Sequence, residues 1–272
     1  MRVLVIARTV PDSRATIRVN ASGGAIETTG VAMICDPFDE LGVEQGVRLR
    51  EGRPDVTEAV VLSAGPGPAT PQDQALRAAL AMGIDRGIYV HGDLVTPPAR
   101  YDELLLARVL AAAIKAEEAK NGEFALIRCG KAAIDTDAGE LGPALGELLN
   151  RPSIGAATKI EIGADAKSLK ATRRGDGVSE AIEASLPAVV SCEKGLAEPR
   201  FASLPNIMKA KKKPVEMVSA ADLPGMAGVK ATTKVVKLSP PAPRAPCKML
   251  AGEPAQMASE LVRLLRSEAK VI

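Results

Sequence analysis

Three stretches of the chain are apolar almost without a break: "VLVIA" at 3–7, "AVVLS" at 59–63 and "FALIRCG" at 124–130. A strand with one wet face alternates, so a nearly continuous apolar strand must be covered on both faces, as in a parallel sheet. The shorter "GIYV" at 87–90 reads the same way. Helical stretches with clear start and stop signals lie between these runs. Asp36-Pro37-Phe38-Asp39 supplies a cap, a first-turn proline and an acidic residue ahead of "ELGVEQGVRLREG", which Gly52 closes. Thr70-Pro71 opens "QDQALRAALAMG" in the same manner, and Gly83 closes it. "YDELLLARVLAAAIKAEEAK" (101–120) predicts a long third helix and "LGPALGELL" (141–149) a fourth. Strands alternating with helices of this length predict an α/β fold, a doubly wound, mainly parallel, Rossmann-like sheet.

The pattern changes over 153–192, where "SIGAATKIEI", "SLKATRR" and "SEAIEASLPAVVSC" are short β-like pieces separated by turns. They predict an antiparallel β excursion from the same domain. From about 215 the pattern loosens. "LSPPAPRAPCK" (238–248) cannot form regular structure and predicts an extended, polyproline-like arm, followed by an amphipathic helix over 254–270. Such an arm has little core of its own. The expected organisation is therefore an α/β domain over 1–215 and a C-terminal arm over 216–272 that packs on another subunit.

Composition narrows the function. Four lysines crowd into "RFASLPNIMKAKKKP" (200–214), yet the 272-residue chain has a formal net charge of only +2. The cluster is local, and with no Trp, two Tyr and three Phe there are few platforms for base stacking, which argues against a nucleic-acid binder. Cys35, Cys129, Cys192 and Cys247 are far apart and His91 is the sole histidine, so neither a metal spacing nor a histidine-based triad is present. Reduced thiols, a start that runs straight into a strand, and no run of eighteen apolar residues predict a reducing compartment and no membrane insertion.

Open α/β sheets bind ligands beyond their strand C-termini. Three such ends stand out: "ARTVPDS" (7–13), "SAGPGPAT" (63–70) and "CGKAAIDTDAGELG" (129–142). Glycine lets backbone N–H groups approach a phosphate, and the helix N-termini that follow favour anions. None is a G-x-G-x-x-G or Walker loop. Taken together they predict an adenine-nucleotide pocket, and a non-redox nucleotide-binding protein is one reading of it. A hydrolase would need a nucleophile-and-base pair, which the sequence does not supply.

The segments "IRV" (17–19), "DPFDELGVEQGVRLRE" (36–51), "ALRAALAMGIDRGI" (75–88), "GKAAIDTD" (130–137), "LPAVVS" (186–191) and "EPRFASLPNIMKAKKKP" (198–214) together resemble the beta subunit of electron-transfer flavoprotein. The resemblance implies a heterodimer whose alpha subunit holds the redox-active FAD. The beta subunit then completes the flavin surroundings, binds a structural AMP and presents a recognition loop, here 191–206, to flavin-dependent dehydrogenases. Electrons would leave to a membrane quinone oxidoreductase or an equivalent acceptor. The compartment implied is the cytoplasm of a bacterium, or the mitochondrial matrix of a eukaryote.

By the same resemblance the nucleotide lies against Ile6, Asp36, Ala64 and the segment Gly130, Lys131, Ala132, Ala133, Ile134, Asp135, Thr136, Asp137, Ala138, Gly139, Glu140 and Leu141. Leu196, with Glu198, Pro199 and Arg200, is expected to grip the dehydrogenase as an exposed anchor. The chain departs from the family pattern where Gln usually follows the Gly-Lys, where Gln-Thr-Gly is usual, and where Asn precedes "PF". Those places are Ala132, Glu140-Leu141-Gly142 and Asp36. Carboxylates and a leucine remove donors to phosphate and add repulsion. A bifurcating relative would hold a second FAD in this pocket, but "PNIMKAKKKP" looks more like the non-bifurcating pattern.

Overall fold

Alternate residues of the first apolar run face two different helical layers, which is why the run does not alternate with polar residues. In strand β1 (Arg2–Ile6), Val3 and Val5 belong to one core cluster and Leu4 and Ile6 to another. The computed structural model describes all residues except Ser22, 68–72, 98–100 and Ala245. Four short pieces follow β1: β2 (Thr9–Pro11), β3 (Arg18–Val19), β4 (Ile26–Glu27) and β5 (Met33–Cys35). β2 pairs antiparallel with β5, and β3 with β4. Strands of two or three residues hold too few positions to show a period, so the pattern did not announce them.

Next come α1 (Pro37–Gly52), β6 (Glu58–Gly65), α2 (Gln74–Met82), β7 (Arg86–His91), α3 (Glu103–Asn121), β8 (Phe124–Gly130) and α4 (Leu141–Leu149). The Thr70-Pro71 opening expected for the second helix lies outside the described residues. Its cap is Asp73, whose Oδ1 accepts from Leu76 N at 2.7 Å and from Ser63 Oγ at 3.1 Å. The third helix starts two residues later than expected because Asp102 caps it. Asp102 Oδ1 accepts from Leu105 N, while Oδ2 accepts from the Thr232 and Thr233 N–H groups and the Thr232 hydroxyl.

β9 (Ser153–Ile162), β10 (Ser168–Arg174) and β11 (Ser179–Ser185) form the expected antiparallel excursion. The last piece, read as one segment from 179 to 192, is in fact divided at Pro187. Its second half, β12 (Ala188–Cys192), inserts between β8 and β9, parallel to both and wholly buried. After α5 (Leu204–Ala210) the chain adds β13 (Val215–Ser219), parallel to β7. The strand order among the described residues is β11-β10-β9-β12-β8-β1-β6-β7-β13.

The compact unit runs to Leu238, past the boundary at 215 expected from composition. β13 extends the sheet, and Ala220, Leu223 and Met226 then join the core of Ile88, Val90 and Leu110. Those three residues recur every third position over a single short stretch, too few to announce a core-facing segment. α1 and α2 cover one sheet face with Val43, Val47, Leu76 and Leu80; α3 and α4 cover the other with Leu105, Leu110, Ile114 and Leu145.

Residues 239–272 form a separate unit. Among its described residues there is no regular structure before α6 (Pro254–Leu264), which continues into a π-helical turn over Leu265–Ala269. No residue of α6 is buried, and Leu261 and Val262 are exposed. An amphipathic helix with a bare apolar side is unfinished by itself. Among the described residues no helix is long and apolar enough to cross a membrane.

Candidate functional site

The end of β1 and the start of α1 meet in a buried cluster of charge. Asp39, in the first turn of α1, is fully buried. Its Oδ2 accepts from Arg8 N at 2.8 Å and Arg8 Nε at 2.9 Å, and its Oδ1 accepts from Arg8 Nη2 at 3.1 Å and Gly130 N at 2.6 Å. Arg8 Nη2 also donates to Ala132 O at 3.2 Å. Burial works against the Arg8 charge, but the forked Asp39 carboxylate outweighs it and holds the guanidinium above its ordinary range. Gly130 is required here. A Cβ at that position would come within 2.7 Å of both Phe38 Cβ and Asp39 Oδ1.

Asp36 is also fully buried. One oxygen caps α1 by accepting from Phe38 N at 2.8 Å, and the other accepts from Ile134 N at 2.8 Å. Burial, and then the charge of Asp39, push its carboxyl up to about 6. The segment 130–141 is thus tied to α1 by two carboxylates. It also closes on itself: Ala133 N donates to Ala138 O, and Asp137 N to Ala133 O with Asp137 at φ 53°. The Thr136 hydroxyl donates to Glu103 Oε1 at 3.4 Å. Leu141 is buried in the layer of α3 and α4, whereas Glu140 is exposed at the N-cap of α4 with no side-chain capping bond. Gly139 lies against Lys131 O, and Asp135 lies half-buried between these contacts.

Ile6 and Ala64 do come together. They line a cavity of about 10 Å³ that Arg8, Val95, Leu106 and Leu110 close. A space of that size takes one water at most. Asp36 and the 130–141 segment do not line it.

A much larger feature lies beside the cluster. An open cleft of about 1280 Å³ is lined by Phe38, Leu41, Lys131, Arg174, Glu193 and Leu196, among others. Lys131 Nζ sits 4.9 Å from the centre of the Phe38 ring and 2.5 Å from Glu193 Oε2. A cation over an aromatic face with a carboxylate alongside makes a polar rim on an apolar wall, a usual lining for a large planar ligand.

The expected anchor, Leu196, is not exposed. It is 9 % exposed and packs on Leu41 and Cys192, with Phe38 and Ile160 at the edge. Its loop is clamped to α1: Gln45 Nε2 donates to Leu196 O at 3.0 Å and Arg48 Nη2 to Glu198 O at 3.3 Å. Arg200 forks onto Glu44 and onto Glu51, with contacts of 2.7–3.2 Å, and these two carboxylates hold it above its ordinary range. Pro199 lines the cleft. The side chains that the clamped loop leaves bare come just after it. Phe201 is fully exposed, Leu204 78 % and Met208 60 % exposed, and Ile207 is also exposed. Their spacing was the missed signal, since Leu204, Ile207 and Met208 fall at i, i+3 and i+4 of one short helix.

The lysines divide as well. α5 ends at Ala210, and Lys213 turns inward to donate to Leu80 O at 2.9 Å and Ile84 O at 2.5 Å. It caps the end of α2, and burial lowers its pKa. Lys211 and Lys212 remain exposed. Among the described residues no group of three His, Cys, Asp or Glu side chains could hold a metal ion.

The model of the electron transfer flavoprotein domain matches residues 23–223. The "Electron transfer flavoprotein subunit beta" of Bradyrhizobium diazoefficiens is 39 % identical over 274 residues, covering all of both chains. The proteins of that name from Bacillus subtilis and Homo sapiens are each 37 % identical, over 276 and 274 residues, covering all of this chain and 100 % and 99 % of theirs. With matches of this length and identity, the chain belongs to the electron transfer flavoprotein beta-subunit family.

Proposed function

We propose that this chain is the beta half of a heterodimeric electron carrier, taking electrons from flavin-dependent dehydrogenases and passing them to a membrane quinone oxidoreductase or an equivalent acceptor. The observation that carries this reading is the cleft walled by Phe38 and rimmed by Lys131, next to a clamped loop that ends in bare apolar side chains. The alpha subunit's FAD, when bound, supplies the redox chemistry. The residues of this chain that would border the flavin are Phe38, which would offer it an apolar wall, and the Lys131–Glu193 pair, which would set the charge beside it. The thiols Cys35, Cys129 and Cys192 are buried and unpaired, which supports a reducing compartment such as the bacterial cytoplasm.

The dehydrogenase docks, in this reading, on the 191–206 loop, but through Phe201 and Leu204 in place of Leu196. Each contributes about 1.5–3 kcal/mol if it becomes buried on binding, enough for a transient grip. Phe201→Ala and Leu204→Ala should each raise the apparent KM for the carrier by roughly ten- to a hundredfold, with the flavin spectrum unchanged. Leu196→Ala should instead leave KM alone and cost about 2 kcal/mol of stability, because it removes a packed side chain. The test is dehydrogenase-linked flavin reduction by the co-expressed heterodimer at subsaturating carrier. Wild-type kinetics for both Phe201→Ala and Leu204→Ala would remove the docking assignment.

The bare α6 supports packing of residues 239–272 on the alpha subunit. Deleting 240–272 should weaken heterodimer formation, measured by dilution, while the far-UV spectrum of the α/β domain persists. An unchanged dimer affinity would sink that idea.

A further inference from the structure

We propose that the nucleotide pocket of this subunit is closed by its own carboxylates, Asp36 and Asp39, and takes no adenine nucleotide. The inference rests on the beta-subunit reading above and concerns only what the resemblance implies for the strand ends. A phosphate would need main-chain donors from the segment 130–141, and five of them are already committed. Gly130 N donates to Asp39 and Ile134 N to Asp36. Lys131 N donates to Cys192 O, Ala133 N to Ala138 O and Asp137 N to Ala133 O. The nearby guanidinium, Arg8, is forked onto Asp39. Among the described residues its Nη1 is buried without a partner, and the cavity that Arg8 lines takes a water rather than a phosphate.

Charge and space agree. Two buried carboxylates face one guanidinium, so a phosphate would add negative charge where negative charge is already in excess. The following helix does not compensate. α4 carries the Glu140 carboxylate at its N-cap, and Pro143 in its first turn has no N–H. Leu141 occupies the place where the family pattern has a hydroxyl, and it points into the core. The cavity that Ile6 and Ala64 share holds about 10 Å³, against the roughly 300 Å³ and more of ordinary small-molecule pockets. The carboxylates make the bonds to Gly130 and Ile134 that a bound anion would make, so the loop is held without a ligand.

The test is nucleotide content. Heterodimer purified after co-expression with the alpha subunit should release, on acid denaturation, one FAD per complex and neither AMP nor a second FAD. Its melting temperature should not rise with millimolar AMP. One AMP or a second FAD per complex, or an AMP-dependent rise, would overturn the proposal. Absence of any FAD would instead count against the electron-carrier reading. The triple variant Asp36→Asn/Glu140→Gln/Leu141→Thr should gain an AMP-dependent rise in melting temperature. A folded triple variant as indifferent to AMP as the native complex would take the carboxylates out of the explanation and overturn the proposal as well.

Discussion

Asp39→Ala should cost the folded subunit about 3–5 kcal/mol, the usual penalty for stripping one partner from a buried ion pair. The substitution leaves the Arg8 guanidinium charged in a site that burial already disfavours, and it frees the Gly130 N–H inside the protein. Asp36 is not free to take over, since it is engaged with Phe38 N and Ile134 N. In a chain of this size the loss corresponds to a melting temperature lower by roughly 6–20 °C. Arg8→Met combined with Asp39→Leu should recover much of it, because two apolar side chains replace a pair whose desolvation was costly. Denaturant midpoints for the wild type, Asp39→Ala and the Arg8→Met/Asp39→Leu double variant are the measurement. A single Asp39→Ala variant as stable as wild type would show that the pair does not hold the loop. The same variant should disturb the cleft, because Lys131 follows directly on Gly130.

Arg128→Met should do the opposite and stabilise the chain by roughly 3 kcal/mol at neutral pH. Arg128 lies in β8 beneath Gly42 of α1, is 1 % exposed, and among the described residues has no hydrogen-bond partner for Nε or Nη1. Burial pulls its pKa down from the ordinary arginine range to about 10, with the Cys192 thiol opposing the shift. Above about 10, up to the ordinary arginine range, the unfolded chain holds the proton and the folded chain does not, so stability rises as pH climbs through that window. Below it the full penalty stands. Methionine keeps an unbranched stem of similar reach and removes the charge. The variant should melt roughly 6–12 °C higher near neutral pH and lose the rise with alkalinity. Equal or lower stability would mean that the guanidinium is satisfied in the native protein. The reason for an arginine there is not evident in the contacts that surround it.

The sheet and helices were legible wherever the signal was local. The unbroken apolar runs of β1, β6 and β8 follow from burial on both faces. The cap at Asp36 and the proline after it follow from the unsatisfied donors of a helix N-terminus. Asp36, Ala132, Glu140 and Leu141 could be marked as departures because they change donors into acceptors or apolar groups, and that chemistry belongs to the residue type. What those residues do was not legible. That Asp36 binds Ile134 N, or Asp39 binds Gly130 N, depends on contacts spanning 98 and 91 residues.

Leu196 shows the same division. A leucine among small and charged residues looks exposed in one dimension, yet Gln45, Arg48 and the Arg200–Glu44 pair fold its loop onto α1 and bury it. The exposure passes to Phe201 and Leu204, past the clamp. β12 and β13 likewise owe their places to sheet neighbours distant in sequence. By itself the sequence determined the periodicities, the caps, the breaks and the chemical type of each candidate residue, because these act over a few positions. Only the tertiary structure decided which donors are already taken, which leucine is bare and which charge is buried alone. Those outcomes depend on groups brought together by packing, and no local pattern records them.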